Sequence, residues 1–256
     1  MKKAVLVVSF GTSYHETREK TIDVCENKIK DSLSGYDFFR AYTSNMIIRK
    51  LKNRDGIHIE NPIEALTRMS DEGYDEVLVQ TLHIICGEEY NKLKDQIEEL
   101  SHKFKKITLG RPLLTTINDY KETANAIKWQ IPELGYDEAV VFMGHGTDHE
   151  SHSAYPAIEY AMRDDEINTY VGTVEGYPEL EHVIKKLKKD KIKKVHLMPF
   201  MLVAGDHAIN DMASNEEDSW KTILEESGYD VKVYLQGLGE NPEIQNIFEK
   251  HAHDCL

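Results

Sequence analysis

The most constraining feature of this sequence is an apolar run that ends in two glycines flanking a histidine. Residues Ala139 to Met143 read Ala-Val-Val-Phe-Met and are followed by Gly144-His145-Gly146. Five apolar residues are too few for a buried helix, and the valines favour a strand covered on both faces. Because glycine has no Cβ, each glycine lets a bulky group approach the backbone closely. His145 is therefore predicted at the carboxyl end of a parallel strand, where open α/β sheets form their ligand crevices.

Short Val/Ile-rich runs alternate with helical patterns along the whole chain, which predicts an α/β fold with parallel sheets. The predicted strands cover residues 3–9, 37–43, 76–82, 106–109, 138–143, 169–174, 194–199 and 231–235. The predicted helices cover residues 16–32, 45–51, 62–72, 88–104, 117–129, 156–162, 179–188, 209–226 and 242–251. A chain of 256 residues is long enough for two domains. We place them at 1–115 and 116–256, with the last helix able to pack on the first lobe.

The two halves of the chain resemble each other. Residues 4–13 align with residues 139–148, and residues 77–89 align with residues 195–207. The alignment places Phe10 opposite His145 and Glu89 opposite His207. Both aligned stretches lie where a predicted strand passes into a loop. We therefore expect two similar Rossmann-like lobes, each with a parallel sheet flanked by helices, with a cleft between them.

Composition and charge exclude several function classes. The net charge of −14 disfavours nucleic acid and anionic membranes as partners and favours attraction of cations. No apolar run approaches the roughly 18 residues of a membrane span. The segment Met1 to Val8 is followed at once by polar residues without a cleavage site, which predicts a first strand and a cytoplasmic protein. Three scattered cysteines indicate neither a disulfide framework nor a zinc ribbon. Neither a P-loop motif nor a dinucleotide fingerprint is present.

Three metal-ligand side chains follow three predicted strands of the second half. They are His145, Glu175 in Val-Glu-Gly-Tyr-Pro, and His207 in Ala-Gly-Asp-His-Ala. Parallel strands of one sheet end on the same rim, so residues distant in sequence can converge there. Two imidazoles and one carboxylate suit divalent cobalt, iron, nickel or zinc with open coordination positions. A single histidine at a strand end is more often structural, but three such residues, two with neighbouring glycines, favour a functional site.

Other histidines fit less specific roles. His149 and His152 could form a second, shallower metal patch, although an exposed polar face is the better interpretation. His196 lies inside a strand and is predicted to be a hydrogen-bonded core residue. His83 ends the third predicted strand, and two interpretations stay open: a side chain that faces the crevice or one that points away from it. The tail 251–255 resembles a metal-binding tract, yet chain termini are usually disordered.

Five motifs together resemble the anaerobic sirohydrochlorin cobaltochelatases, the ATP-independent class II chelatases of cobalamin biosynthesis. The motifs are Ser9-Phe-Gly-Thr-Ser13, Phe39-Arg-Ala-Tyr-Thr-Ser44, Gly144-His-Gly-Thr147, Val174-Glu-Gly-Tyr-Pro178 and Met198-Pro-Phe-Met-Leu-Val-Ala-Gly-Asp-His-Ala208. The similarity covers essentially the whole chain. It implies that His145 and His207 bind the incoming metal with Glu175 nearby, and that these three residues carry the catalysis. The predicted substrate-binding residues are Phe10, Gly11, Thr12, Ser13, Glu89, Met201, Leu202 and Val203.

The resemblance implies that Co²⁺ is a substrate and that no cofactor is permanently bound. The tetrapyrrole is a polycarboxylate, so basic residues 49–54 or the loop 11–13 would have to hold it against the negative charge of the protein. Three alternatives stay open: a ferro- or nickel-chelatase acting on the same tetrapyrrole, a non-catalytic metal carrier, and a phosphoryl-transfer enzyme with a histidine nucleophile. The last would favour an arginine directly before His145, where Gly144 stands. A homo-oligomer is compatible with this interpretation.

Overall fold

Eight strands form in the computed structural model, which describes residues 1–256. They are β1 (Lys3–Ser9), β2 (Asp37–Tyr42), β3 (Glu76–Thr81), β4 (Lys106–Leu109), β5 (Glu138–Thr147), β6 (Thr169–Gly176), β7 (Lys194–Phe200) and β8 (Asp230–Val233). They build two four-stranded sheets with the orders β2-β1-β3-β4 and β6-β5-β7-β8. Every neighbouring pair is parallel. The shared strand order confirms the predicted α/β class with two similar halves.

Ten α-helices alternate with these strands. They are α1 (His15–Lys20), α2 (Ile22–Ser32), α3 (Asn45–Asp55), α4 (Pro62–Asp71), α5 (Glu88–Leu100), α6 (Ile117–Ile127), α7 (Ala154–Asp164), α8 (Leu180–Lys189), α9 (Trp220–Glu226) and α10 (Pro242–His253). Two of them begin with a capping box: Asn61 caps α4 together with Glu64, and Thr116 caps α6 together with Asp119. Such reciprocal side-chain bonds satisfy backbone N–H groups that a helix start leaves unpaired. None of the ten helices combines the length and the apolar composition that a membrane span requires.

Contacts within the chain divide it into two compact units. The first unit comprises Met1–Thr115 and Gln245–Leu256, and the second comprises Thr116–Ile244. Most of α10 therefore belongs to the first unit. There His251 is fully buried and its Nδ1 lies 3.2 Å from the main-chain oxygen of Arg111. The expectation of a disordered tail was wrong, because α10 continues to His253 and buries Ala252 as well.

Each unit has its own apolar core on one face of its sheet. In the first unit the strand residues Ala4, Leu6 and Val8 pack with residues of α4 and α5. In the second unit Ala139, Val141 and Met143 pack with residues of α8, α9 and the loop after β7. The alternate residues of the central strands, Val5 and Val7 in β1 and Val140 and Phe142 in β5, are also buried, so both faces of each sheet are covered. This explains why these strands read as continuous apolar runs in the sequence.

Two predicted helices are interrupted in the structure. The segment predicted as one helix from residue 16 to 32 breaks at Thr21, whose hydroxyl donates to the carbonyl of Thr17 at 2.5 Å. Threonine hydroxyls compete in this way with helical backbone bonds. The segment predicted as a helix over residues 209–226 contains a π-helical turn at Ala208–Met212 and then α9, which Ser219 caps by accepting from the N–H of Thr222. The polar run between them ends the first element.

Candidate active site

The Gly-His-Gly motif lies in the last residues of strand β5, which are still paired with β6. The strand is longer than predicted and ends at Thr147. Gly146 pairs with Glu175 on β6 and has a φ of +86°, a backbone conformation that favours glycine. The preceding residue, His145, is exposed at this carboxyl end, whereas its two glycine neighbours are buried. The strand therefore presents a single imidazole to solvent at the rim of the second sheet.

Both glycines of the motif are required by close neighbours. A Cβ on Gly144 would stand 2.3 Å from the ring of Tyr155, a buried residue of α7. A Cβ on Gly146 would stand 1.6 Å from the carbonyl oxygen of Glu175. The N–H of Gly146 donates to the Tyr155 hydroxyl at 3.1 Å. The prediction that the glycines permit a close approach is confirmed, and the approaching groups are an aromatic ring and a neighbouring strand.

The imidazoles of His145 and His207 lie side by side. Their ring centroids are 4.7 Å apart and their planes are nearly perpendicular, at 89°. The Nδ1 of His145 lies 3.1 Å from the carbonyl oxygen of Gly146, and the Nδ1 of His207 lies 2.5 Å from Oδ2 of Asp211. Each acceptor places the ring proton on Nδ1, so each neutral ring has its lone pair on Nε2. The pair therefore offers two nitrogen donors for a metal ion.

Glu175 does not join the two histidines in a shared ligand set. No group of three or more His, Cys, Asp or Glu side chains is placed to hold one metal ion. Glu175 pairs with Gly146 rather than with His145, and successive residues of a strand point to opposite faces of its sheet. Its exposed carboxylate makes no hydrogen bond or ion pair. The structure thus brings together two of the three predicted metal ligands and leaves the third on the same rim.

The remaining histidines serve other local contacts. In the loop after β5 the Nδ1 of His149 bonds with Ser151, and the Nδ1 of His152 lies 3.1 Å from the His149 carbonyl oxygen. No metal cluster forms there. His196 is buried in β7 between Glu138, 2.8 Å from its Nε2, and the hydroxyl of Tyr234, 3.0 Å from its Nδ1. The prediction of a hydrogen-bonded core histidine is therefore confirmed for His196.

The predicted substrate-binding residues of the second unit form a half-buried apolar loop. Met201, Leu202 and Val203 follow β7 and are each partly exposed. Gly237 lies against this loop, since a Cβ there would stand 2.5 Å from the carbonyl oxygen of Leu202. The N–H of Leu238 donates to the carbonyl of Met201 at 2.8 Å. The backbone of the loop is thereby fixed while its apolar side chains reach solvent.

At the corresponding rim of the first unit, Phe10 is 45% exposed. The neighbouring Gly11 lies on the ring of Tyr42, while Thr12 and Ser13 are buried. One carboxylate oxygen of Glu89 is buried without a hydrogen-bond partner.

His83 lies in the first unit, two residues after the end of β3. Its Nδ1 bonds with the Thr81 hydroxyl at 2.5 Å. Burial lowers the pKa of its imidazole to about 4, so the ring is neutral at physiological pH.

Two residues at the second rim were not singled out from the sequence. Tyr155 supports both glycines beside His145, and Asp211 holds the ring of His207. The spacing of four residues between His207 and Asp211 was a usable signal, because residues four apart on a helix are neighbours. Tyr155 had no comparable signal, since its role depends on how α7 packs against β5.

The repeated sheet and the imidazole pair at its rim define a chelatase-like α/β protein. A solved structure of SirB from Bacillus subtilis with Fe³⁺ has a TM-score of 0.67 at 14% identity, covering 99% of this chain and 95% of that one. The structure of CbiX, described as the terminal enzyme for biosynthesis of siroheme in denitrifying bacteria, has a TM-score of 0.59 at 14% identity, covering 99% and 100%. At these identities the likeness establishes the fold.

Sequence comparison is more specific. The family model described as cobalt chelatase (CbiK) matches residues 3–256, and the chain belongs to that family. A sirohydrochlorin cobaltochelatase of Salmonella typhimurium is 49% identical over 256 residues, which cover 100% of this chain and 97% of that protein. The sirohydrochlorin cobaltochelatase CbiKC of Nitratidesulfovibrio vulgaris is 34% identical over 98% of this chain and 89% of that protein.

Proposed function

We propose that this protein inserts Co²⁺ into sirohydrochlorin in anaerobic cobalamin biosynthesis, without ATP, and that His145 and His207 receive the metal. Membership of the cobalt chelatase family and the 49% identity to a sirohydrochlorin cobaltochelatase support the reaction. The observation that carries the assignment of residues is the imidazole pair, whose ring centroids are 4.7 Å apart at the end of β5. Both Nδ1 atoms are engaged, so both Nε2 atoms are left to coordinate the incoming ion.

Two imidazole donors suit a metal that must be held and then released. Divalent cobalt accepts nitrogen ligands, and two protein ligands leave coordination positions for water and for the pyrrole nitrogens. As the macrocycle nitrogens bind, they replace water and then the protein donors. Iron and nickel also accept imidazole, so the donor set alone does not select cobalt. The family assignment is what favours cobalt as the physiological substrate.

Metal insertion releases two pyrrole protons for each divalent ion, so the site needs a proton acceptor. Glu175 is suited to this role because its carboxylate is exposed at the same rim as His145 and has no partner within the chain. A carboxylate without a fixed partner can rotate toward the pyrrole N–H groups. We therefore assign proton uptake to Glu175 and metal delivery to the two histidines. Metal coordination assists, because it makes the pyrrole protons more acidic.

The apolar and polar residues around the two rims are assigned to the tetrapyrrole. In the second unit the half-buried side chains of Met201, Leu202 and Val203 provide apolar contact for the macrocycle. In the first unit we assign the segment Phe10–Ser13 and Glu89 to substrate contact. The exposed ring of Phe10 and the unpartnered carboxylate oxygen of Glu89 support this assignment.

The test mixes purified protein, Co²⁺ and sirohydrochlorin without ATP and follows the visible absorption of the macrocycle. His145→Ala and His207→Ala should each lower the insertion rate by at least about 100-fold, because each removes a metal donor. His102→Ala, which removes an exposed histidine of the first unit, should match the parent. Fe²⁺ and Ni²⁺ assayed in parallel rank the metals.

A separate variant distinguishes proton uptake from metal binding. Glu175→Gln should slow insertion while leaving the affinity for Co²⁺ close to that of the parent. If both histidine variants inserted cobalt at the parent rate, the assignment of the metal donors would be wrong. If the parent retained Co²⁺ stoichiometrically and never changed the tetrapyrrole spectrum, the protein would be a metal carrier instead.

A further inference from the structure

The imidazole of His207 is held by a carboxylate from its own segment. Its Nδ1 lies 2.5 Å from Oδ2 of Asp211. Since a carboxylate oxygen accepts hydrogen bonds, the imidazole is the donor and its proton resides on Nδ1. In the neutral ring the lone pair is then on Nε2, the atom that faces outward from this bond. The hydrogen bond therefore decides which nitrogen of His207 can bind a metal.

Asp211 reaches His207 because of an unusual backbone. A π-helical turn, Ala208–Met212, begins directly after His207. Such turns are rare and are found frequently at functional sites. Ala208 and Met212 are fully buried in the core of the second unit, which anchors both ends of the turn. The four-residue spacing then brings the carboxylate of Asp211 onto the ring of His207.

The two histidines differ in how their rings are fixed. The Nδ1 of His145 lies 3.1 Å from the main-chain oxygen of Gly146, which no substitution of a side chain removes. The orientation of His207 depends instead on a single carboxylate. His207 is also partly exposed, with 36% of its side-chain surface accessible, so packing alone does not hold its ring. Of the two proposed metal donors, His207 is therefore the one whose ring orientation depends on a side chain that a point substitution can remove.

We propose that Asp211 is a positioning residue for cobalt insertion, which keeps His207 in the Nδ1–H tautomer with Nε2 turned toward the incoming ion. This inference rests on the proposed function and adds a residue that acts through His207 without contacting metal or tetrapyrrole. Carboxylates that orient metal-binding histidines raise metal affinity by fixing the ring and its tautomer. The side chain of Asp211 is 45% exposed, so its pairing with His207 contributes little to folding.

The test compares Asp211→Ala and Asp211→Asn with the parent and with Glu217→Gln. Glu217 is an exposed residue of the following polar run, and its substitution removes one negative charge from the same region. Binding of Co²⁺ is measured by calorimetry without tetrapyrrole. Both Asp211 variants should bind Co²⁺ about 10- to 100-fold more weakly and raise the KM for cobalt by a similar factor, while Glu217→Gln matches the parent. Asp211→Glu should restore part of the loss.

A second readout follows the ring itself. The ¹⁵N shifts of the His207 imidazole should show the Nδ1–H tautomer in the parent and a mixture of tautomers in Asp211→Ala, with the urea midpoint unchanged. A parent ring protonated at Nε2, or an Asp211→Ala variant with the parent affinity for Co²⁺, would overturn the inference. A lowered urea midpoint with an unchanged tautomer would assign Asp211 to folding alone and would overturn it equally.

The variant His207→Ala separates this inference from the proposed function. If His207→Ala loses insertion and Asp211→Ala keeps it, only the role of Asp211 is wrong. If His207→Ala inserts cobalt at the parent rate, the assignment of His207 as a metal donor fails, whatever Asp211 does.

Discussion

Substitution of Gly146 by alanine tests whether the approach of β6 to β5 is as tight as the structure shows. Two costs combine at this position. The φ of +86° disfavours any residue with a Cβ by about 1–2 kcal/mol. The added Cβ would also stand 1.6 Å from the carbonyl oxygen of Glu175, so a main chain must move rather than a flexible side chain. Overpacking of this kind costs about 1–3 kcal/mol more.

Gly228→Ala supplies the matched control. Gly228 lies in the same unit and has a φ of +93°, but a Cβ there meets no atom within 4 Å. It should therefore show the backbone cost alone, about 1–2 kcal/mol, whereas Gly146→Ala should lose about 2–5 kcal/mol of unfolding free energy. Domains are stable by only about 5–15 kcal/mol, so the difference is large enough to measure.

Urea unfolding followed by tryptophan fluorescence is the appropriate assay. Both tryptophans, Trp129 and Trp220, lie in the second unit, so the signal reports on the unit that contains Gly146. Gly146→Ala should also insert cobalt more slowly than Gly228→Ala, because the shifted main chain carries Glu175. Equal loss of stability in the two variants would refute the close approach of β6.

Two further predictions concern charge. Hydrogen bonding with His196 and Lys194 lowers the pKa of Glu138 to about 2. Since this carboxyl binds protons more readily in the unfolded chain, it stabilises the fold above about pH 4 and loses that contribution as the pH falls toward 2. Glu138→Gln should therefore flatten the fall of unfolding free energy between pH 5 and 3. Glu133→Gln, which removes an exposed unpaired carboxylate, should keep the slope of the parent protein. Identical slopes for the parent and both variants would contradict the prediction. In the assay of insertion, added non-coordinating salt should lower the KM for the polycarboxylate tetrapyrrole and raise that for Co²⁺, because it screens a net charge of −14. A KM for the tetrapyrrole that rises with salt would show that local basic residues dominate its binding.

The strands of this protein could be predicted from the sequence more reliably than its helix ends. All eight predicted strands overlap β1 to β8, and the central strands β1, β3 and β5 gave the clearest signal because a strand buried on both faces reads as an apolar run. Helix ends depend on local competition, such as the hydroxyl of Thr21 bonding to Thr17 or the cap formed by Ser219. The spacing of apolar residues in the sequence carries no information about such hydrogen bonds. The predicted helices therefore ran across both interruptions.

The candidate site could be predicted only in part, for a geometric reason. Position at the carboxyl end of parallel strands indicates that His145, Glu175 and His207 share a rim, and the structure places all three there. Whether the three side chains converge on one ion depends on the register in which neighbouring strands pair, and the sequence of a single strand does not show that register. Pairing of Glu175 with Gly146 separates its side chain from His145. The tautomers of His145 and His207 could not be predicted from the sequence either, because they depend on the carbonyl oxygen of Gly146 and on the carboxylate of Asp211.

The repeat shows how one backbone conformation can serve two different purposes. Gly11 and Gly146 are aligned in the repeat, and both have positive φ, +92° and +86°. Each follows an exposed residue at the end of the central strand of its sheet: Phe10 in the first unit and His145 in the second. The glycine conformation therefore accompanies an exposed side chain in both units, and the residue before the glycine determines the chemistry of that side chain. Because this glycine conformation occurs in both units but the imidazole in only one, the conformation belongs to the fold, and His145, one of the two proposed metal donors, is specific to the second unit.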